Sequence, residues 1–151
     1  MRTTGCQAET AGLEFETDYR PADFWRLFFS ASLHGSEVTK NPTDPEFVGN
    51  RIARASEKQA SVGITYDNPG ILYALIRGRY VGDRYDDAEN EDYIPSYYLV
   101  DLSLSRSIGQ NWGVFAGVEN LLDETFAIRI SSAGTVIGAP RLYHLGLRFG
   151  K

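Results

Sequence analysis

One cysteine, Cys6, and one methionine stand among 151 residues. A single thiol closes no internal disulfide, and without an apolar stretch before it Cys6 is no lipid-anchor cysteine either. No run approaches 18 uninterrupted apolar residues, which excludes a membrane-spanning helix. It does not exclude a spanning β-barrel, whose short strands are apolar only at every second position. Positive charge is also scarce: 15 Lys and Arg face 20 Asp and Glu, for a net charge of -5. A nucleic-acid surface is therefore disfavoured. The first ten residues, Met1 to Thr10, hold no apolar segment of signal-peptide type, so either the chain is cytoplasmic or Met1 is not the natural start. What is abundant is aromatic: nine Tyr, eight Phe and two Trp. At 42% hydrophobic and 23% charged, the chain has the material of one ordinary ordered domain.

Period-two alternation predicts seven strands, at about 12–19, 25–36, 59–67, 71–83, 97–108, 111–120 and 141–149. One face collects Leu13, Phe15, Trp25, Leu27, Phe29, Ala60, Val62, Ile64, Leu72, Ile76, Val100, Leu102, Val114, Val118, Leu145 and Leu147. The other collects acids, arginines, serines and glycines. None of these segments offers the three-and-four spacing of an amphipathic helix, so the chain reads as all-β.

The connections alternate as well. Arg20-Pro21-Ala22-Asp23, Asp67-Asn68-Pro69-Gly70 and Gly109-Gln110-Asn111 read as tight turns, and between them lie long polar excursions at about 37–58, 84–96 and 121–140. Short turns at one end and long loops at the other are the asymmetry of an outer-membrane barrel. Tyr19, Trp25, Tyr66, Trp112 and Phe149 all fall on the apolar face near the short-turn end, and Tyr80, Tyr98 and Tyr143 near the other. Two aromatic belts around an aliphatic band are what a lipid-facing surface carries, because amphipathic rings settle at headgroup level. Ten residues rising ~3.3 Å each at a tilt of ~45° cross roughly 23 Å, close to the apolar band of such barrels. A soluble barrel or sandwich, with the same apolar face turned into a core, is the competing reading.

Several motifs carry a family resemblance. Val118-Glu119-Asn120-Leu121-Leu122-Asp123-Glu124-Thr125-Phe126, a loop, and then Gly138-Ala139-Pro140-Arg141-Leu142-Tyr143 resemble the last two barrel strands of TonB-dependent outer-membrane receptors. Ala11-Gly12-Leu13-Glu14-Phe15-Glu16, Asn50-Arg51 with Ser61 to Tyr66, and Arg79-Tyr80-Val81-Gly82-Asp83-Arg84-Tyr85 are similar to the family's upstream strands. The resemblance implies an antiparallel up-and-down transmembrane barrel of 22 strands with an N-terminal plug in its lumen. It further implies an outer-membrane location and uptake of a scarce nutrient such as a ferric siderophore. The implied partners are the outer-membrane bilayer, the remaining barrel and plug, a small-molecule or metal-chelate ligand, and TonB, engaged through an N-terminal part. This chain lacks a plug domain and a TonB box, and Phe149 is followed by Gly150-Lys151 where family barrels tend to end on an aromatic residue. The expectation is therefore a C-terminal segment, residues 1–151, of a longer receptor barrel. A small autonomous barrel, lipocalin-like or of compact outer-membrane type, is the alternative.

No residue grouping points to catalysis, a cofactor or a metal. His34 and His144 are far apart and read as lone polar residues. The acidic run Asp83, Asp86, Asp87, Glu89, Glu91 and Asp92 lacks the oxygen spacing and central glycine of an EF-hand and reads as a solvated loop. The candidate functional residues are instead the lumen-facing charges Glu14, Glu16, Asp18, Arg77, Arg79, Asp101, Glu119 and Arg148, as plug contacts. Ligand specificity is expected in the three long loops, with their tyrosines and acids exposed.

Overall fold

The computed structural model describes residues 5–150. Its strands are β1 (Gln7–Ala22), β2 (Trp25–Lys40), β3 (Lys58–Asn68), β4 (Leu72–Val81), β5 (Arg84–Tyr85), β6 (Tyr93–Ile94), β7 (Tyr97–Ile108), β8 (Trp112–Glu119), β9 (Ala127–Ser131), β10 (Gly134–Ile137) and β11 (Leu142–Phe149). Seven of them form one antiparallel sheet in the order β1-β2-β3-β4-β7-β8-β11. The sheet does not close on itself: β1 and β11 are its free edges. The chain is all-β, as the alternation predicts, with a single turn of 3-10 helix at Pro45–Phe47.

The register sorts the faces. Trp25 opposes Tyr66, Leu27 opposes Ile64 and Phe29 opposes Val62, and the row continues through Ile64 with Ile76 and Ile76 with Leu102. Leu102 then opposes Val118, and Val118 opposes Tyr143. Side chains directly opposite in an antiparallel pair share a face, so one side of the sheet is apolar from edge to edge. It covers nothing. Leu13 is 77% exposed and Leu145 82%, while the buried hydrophobic residues are Ile94 and Leu99 alone among those described. In a soluble sandwich or closed soluble barrel this face would form the core.

Two phenylalanines fall on the charged face, where alternation offers them no company. Phe28 opposes Gly63 and Phe115 opposes Gly146. A Cβ at Gly63 would stand 2.2 Å from the Phe28 ring, and one at Gly146 would stand 2.1 Å from the Phe115 ring. Each ring thus lies across the bare backbone of its neighbour strand, a pairing that fixes register and covers a glycine.

The structure moves several boundaries. β1 and β2 run to 16 residues each, so the first long loop begins after Lys40 instead of near 37. The turn expected over 20–23 sits at 23–24, because a register shift between Tyr19 and Ala22 absorbs Arg20 and Pro21 into β1. Proline, lacking an N–H, is tolerated at such an irregularity. Phe24 then adopts φ 67°, and its carbonyl accepts the Asp67 N–H at 2.8 Å. The later two long loops contain their own hairpins, β5 with β6 and β9 with β10.

Substituting Gly146→Leu is expected to destabilise the folded sheet by about 1–3 kcal/mol through overpacking against Phe115. Urea unfolding of the protein measures it. The double variant Gly146→Leu with Phe115→Ala should recover most of the loss, and a failure to recover would remove the ring–glycine contact as the cause.

Candidate functional site

On the charged face Asp101 is the focus. Arg77 Nη2 and Arg79 Nη2 reach one of its carboxylate oxygens at 3.1 and 2.9 Å. The Asn120 backbone N–H donates to the other at 3.2 Å. Arg77 faces Asp101 because the two are opposed in register between β4 and β7. Two guanidiniums on one carboxylate leave this cluster with an excess of positive charge. Beside it, His144 Nε2 lies 3.1 Å from Glu119 Oε1. Arg77, Arg79, Asp101, Ser103, Glu119 and His144 line a cleft of about 310 Å³.

A second trough of about 390 Å³ runs from Glu14 and Glu16 on β1 to Arg79 on β4, over a floor that includes Ser30, Ser32, Gln59 and Ser61. Its walls therefore carry opposite charge across small, hydrogen-bonding side chains. Asp18 pairs with Arg26, and Phe28 lies under the same Arg26. Glu14, Glu16 and Arg148 form no ion pair among the described residues.

At the other end the three long connections interlock into a crown. Asp86, 5% exposed, takes Arg54 Nε of the first loop at 2.9 Å and Arg129 Nε of the third at 3.6 Å. Arg51 Nη1 lies 2.9 Å from Asp83 and Arg51 Nε 3.2 Å from Glu57. Asn90 accepts the Arg51 N–H at 2.8 Å and donates to the Arg51 carbonyl at 3.0 Å. Arg84, 8% exposed, donates to the Ile128 carbonyl at 3.2 Å and stands over the Tyr97 ring. Tyr97 and Phe126 stack at 4.3 Å. Ile94, fully buried, sits in the short hairpin of the second loop.

The motifs that carry the family resemblance acquire a physical meaning here. Asn120, at φ 51°, accepts the Glu124 N–H at 2.9 Å and donates to the Ala139 carbonyl at 3.2 Å. Asp123, at φ 57°, accepts the Arg141 N–H at 3.1 Å and the Arg141 guanidinium at 3.1 Å. Two short polar side chains tolerate the left-handed backbone and tie both ends of the third loop together.

Three expectations are corrected. The acids of 84–96 are not simply exposed: Asp86 is buried beneath two arginines, and Asp87 caps the N–H groups of Glu91 and Asp92 at 3.0 and 2.9 Å. His144 is not lone, since its strand neighbour supplies Glu119. The tyrosines of the loops are only partly free, Tyr85 lying under Arg51 and against Tyr93. Missed by pattern reading is Arg106, which opposes Val114 on the apolar face near the short-turn end. Its long stem allows the guanidinium to reach past the aliphatic band. The five belt aromatics share the apolar face, with Trp25 against Tyr66 at 5.0 Å and Trp112 against Phe149 at 4.8 Å.

Comparison with known proteins agrees with this geometry. A family model described as TonB dependent receptor-like, beta-barrel matches residues 6–121. The chain belongs to that family. The Ferrioxamine B receptor of Salmonella typhimurium (strain SL1344) is 32% identical over 135 residues, covering 83% of this chain and 19% of the relative. Among solved structures, the siderophore receptor PiuA from Acinetobacter baumannii superposes with a TM-score of 0.83 at 19% identity, over 95% of this chain and 22% of that one. The ferric yersiniabactin uptake receptor FyuA from Yersinia pestis gives 0.81 at 21% identity, over 95% and 24%. This TonB-dependent receptor-like chain thus spans about a fifth of the length of the relatives it matches. Barrels of this family reside in the outer membrane, and its members are transport receptors.

In the crown, hydrogen bonding to Arg51 holds the Asp83 carboxyl below the ordinary carboxylate range. The Arg141 N–H and guanidinium do the same for Asp123. A folded-state pKa below the unfolded one contributes stability above about pH 4 and loses it as the pH falls through the lowered value. Loop hydrogen exchange in the full-length receptor should therefore stay constant from pH 7 to about pH 4.5, at matched intrinsic rates, and rise below pH 4. Replacing Asp86→Ala is expected to raise exchange in all three loops about five- to tenfold at pH 7, equivalent to roughly 1 kcal/mol, because both arginines lose their shared acceptor while remaining hydrated. Faster exchange confined to the second loop would mean that Asp86 does not couple the three.

Proposed function

We propose that these residues form the C-terminal part of the barrel of an outer-membrane receptor that imports a ferric siderophore. In this reading the plug, and the segment that engages TonB, belong to the remainder of the receptor outside these residues. The observation that carries the reading is an apolar sheet face, belted by Tyr19, Trp25, Tyr66, Trp112 and Phe149, that covers no core. Lipid is the solvent that suits it, since the opposite face is charged and the backbone is paired through the sheet. The open edges β1 and β11 then pair with the missing strands, because unpaired backbone groups cannot face hydrocarbon at several kcal/mol each.

The ligand class rests on the relatives, whose names refer to ferrioxamine B, siderophores and ferric yersiniabactin. The crown supplies the outer contact surface, and the charged face lines the lumen. There Glu14 and Glu16, in no ion pair among the described residues, receive basic side chains of the plug, while the Arg77, Arg79 and Asp101 cluster receives an acid. The chain's part is binding and passage; it needs no catalytic group.

Deleting the gene should abolish growth on one ferric siderophore under iron limitation, with radiolabelled iron uptake as the readout and outer-membrane fractionation as the control. Unchanged uptake across hydroxamate, catecholate and mixed chelates would sink the transport reading. In the full-length receptor, Glu14→Gln with Glu16→Gln is expected to lower uptake about three- to tenfold at unchanged surface display, as the loss of roughly 1 kcal/mol of plug contact requires. Wild-type uptake would remove these two residues from the plug interface.

A further inference from the structure

Gly78 lies mid-strand on the apolar face, opposed by Val62 on β3 and Val100 on β7. Its backbone does not call for glycine. A Cβ there would meet its first neighbour, a Val62 methyl carbon, at 3.4 Å, an ordinary contact, whereas at Gly63 and Gly146 a phenyl ring already occupies that space. The missing side chain leaves a dent of about 210 Å³ bounded by Phe29, Val62, Tyr80, Tyr98 and Val100.

The dent has a directed mouth. Tyr80 and Tyr98 are opposed in register on its long-loop side, and Ala60 continues that row onto β3. One row further out on the same face stands Lys58, exposed and in no ion pair among the described residues. The acid whose charge it feels, Asp83, is already engaged by Arg51. Along β3 the step from Lys58 to the level of Gly78 is four residues, or roughly 13 Å. An apolar slot, two phenols at the belt and an ammonium in no ion pair among the described residues therefore follow one another from the band centre outward.

Resting on the membrane reading above, we propose that this slot seats one acyl chain of a phosphate-bearing lipid of the outer leaflet, with the headgroup phosphate held by Lys58. In hydrocarbon there is no hydrophobic gain from leaving one apolar neighbour for another, so shape is what selects the chain. Charge at the interface selects the headgroup, and the tyrosine hydroxyls sit at the depth where a lipid's polar region begins.

The test uses full-length receptor purified in detergent, diphosphoryl lipid A as probe, and native mass spectrometry to count adducts. Wild-type receptor is expected to hold one such lipid. Gly78→Leu, which fills the slot, should bind it about tenfold less. Lys58→Glu should bind it about fivefold less or weaker, as one basic residue at an anionic surface accounts for. Equal adduct levels in wild type and Gly78→Leu would overturn the proposal, as would equal levels for lipid A with and without its phosphates. Heat-modifiable migration and outer-membrane fractionation of the same samples report separately on the barrel reading. If wild type fails those, the membrane reading fails; if it passes them and the variants bind equally, the slot alone is wrong.

Discussion

Cross-strand register is the constraint on which the rest depends. Side chains alternate with a period of two, so a slip of one residue between any pair of strands would carry leucines into the charged face and arginines into the apolar one. The apolar rows have no core to hold them, and the pinning is done on the opposite face. Phe28 over Gly63 and Phe115 over Gly146 each favour one alignment, since a Cβ at the glycine would meet the ring where it lies. Arg77 opposite Asp101 adds a third, electrostatic pin in the middle of the sheet.

The two ends of the molecule solve the problem of polar burial in different ways. Within the sheet, backbone groups pair with neighbouring strands and side chains are left open to whatever each face meets. In the crown, the chain buries its own polar groups: Arg84, Asp86 and Asn120 are all under one-tenth exposed. Each finds partners in another loop or at the far end of its own. Loops tied to one another in this way present a shaped surface, and a long unpaired loop would not.

Much of the fold was legible because alternation is local. Seven strands, their faces and the three long connections follow from residues within a few positions of one another. The errors share a cause. The acidic run at 83–92 reads as solvated because like charges in sequence usually are, yet Arg51 and Arg54, which engage Asp83 and Asp86, come from 32 residues earlier, and Arg129, the second partner of Asp86, lies beyond two further strands of the sheet. His144 reads as isolated because Glu119 lies on the neighbouring strand, 25 positions away, and only pairing brings it near. The family motif around Asn120 and Asp123 is legible as a pattern, but its reason, two left-handed residues tying the third loop to Ala139 and Arg141, exists only in the folded chain.

What the sequence determined by itself was which side chains share a face, since the pleat places every second residue on the same side whatever the partner strand is. Tertiary structure decided which charges meet. Among the described residues Glu14 and Glu16 remain unengaged while Asp101 takes two arginines, and Asp86 of the second loop becomes the shared acceptor of arginines from the first and third. Ion pairing depends on distances of a few ångströms between residues far apart in the chain, and those distances exist only once strand order and register are set.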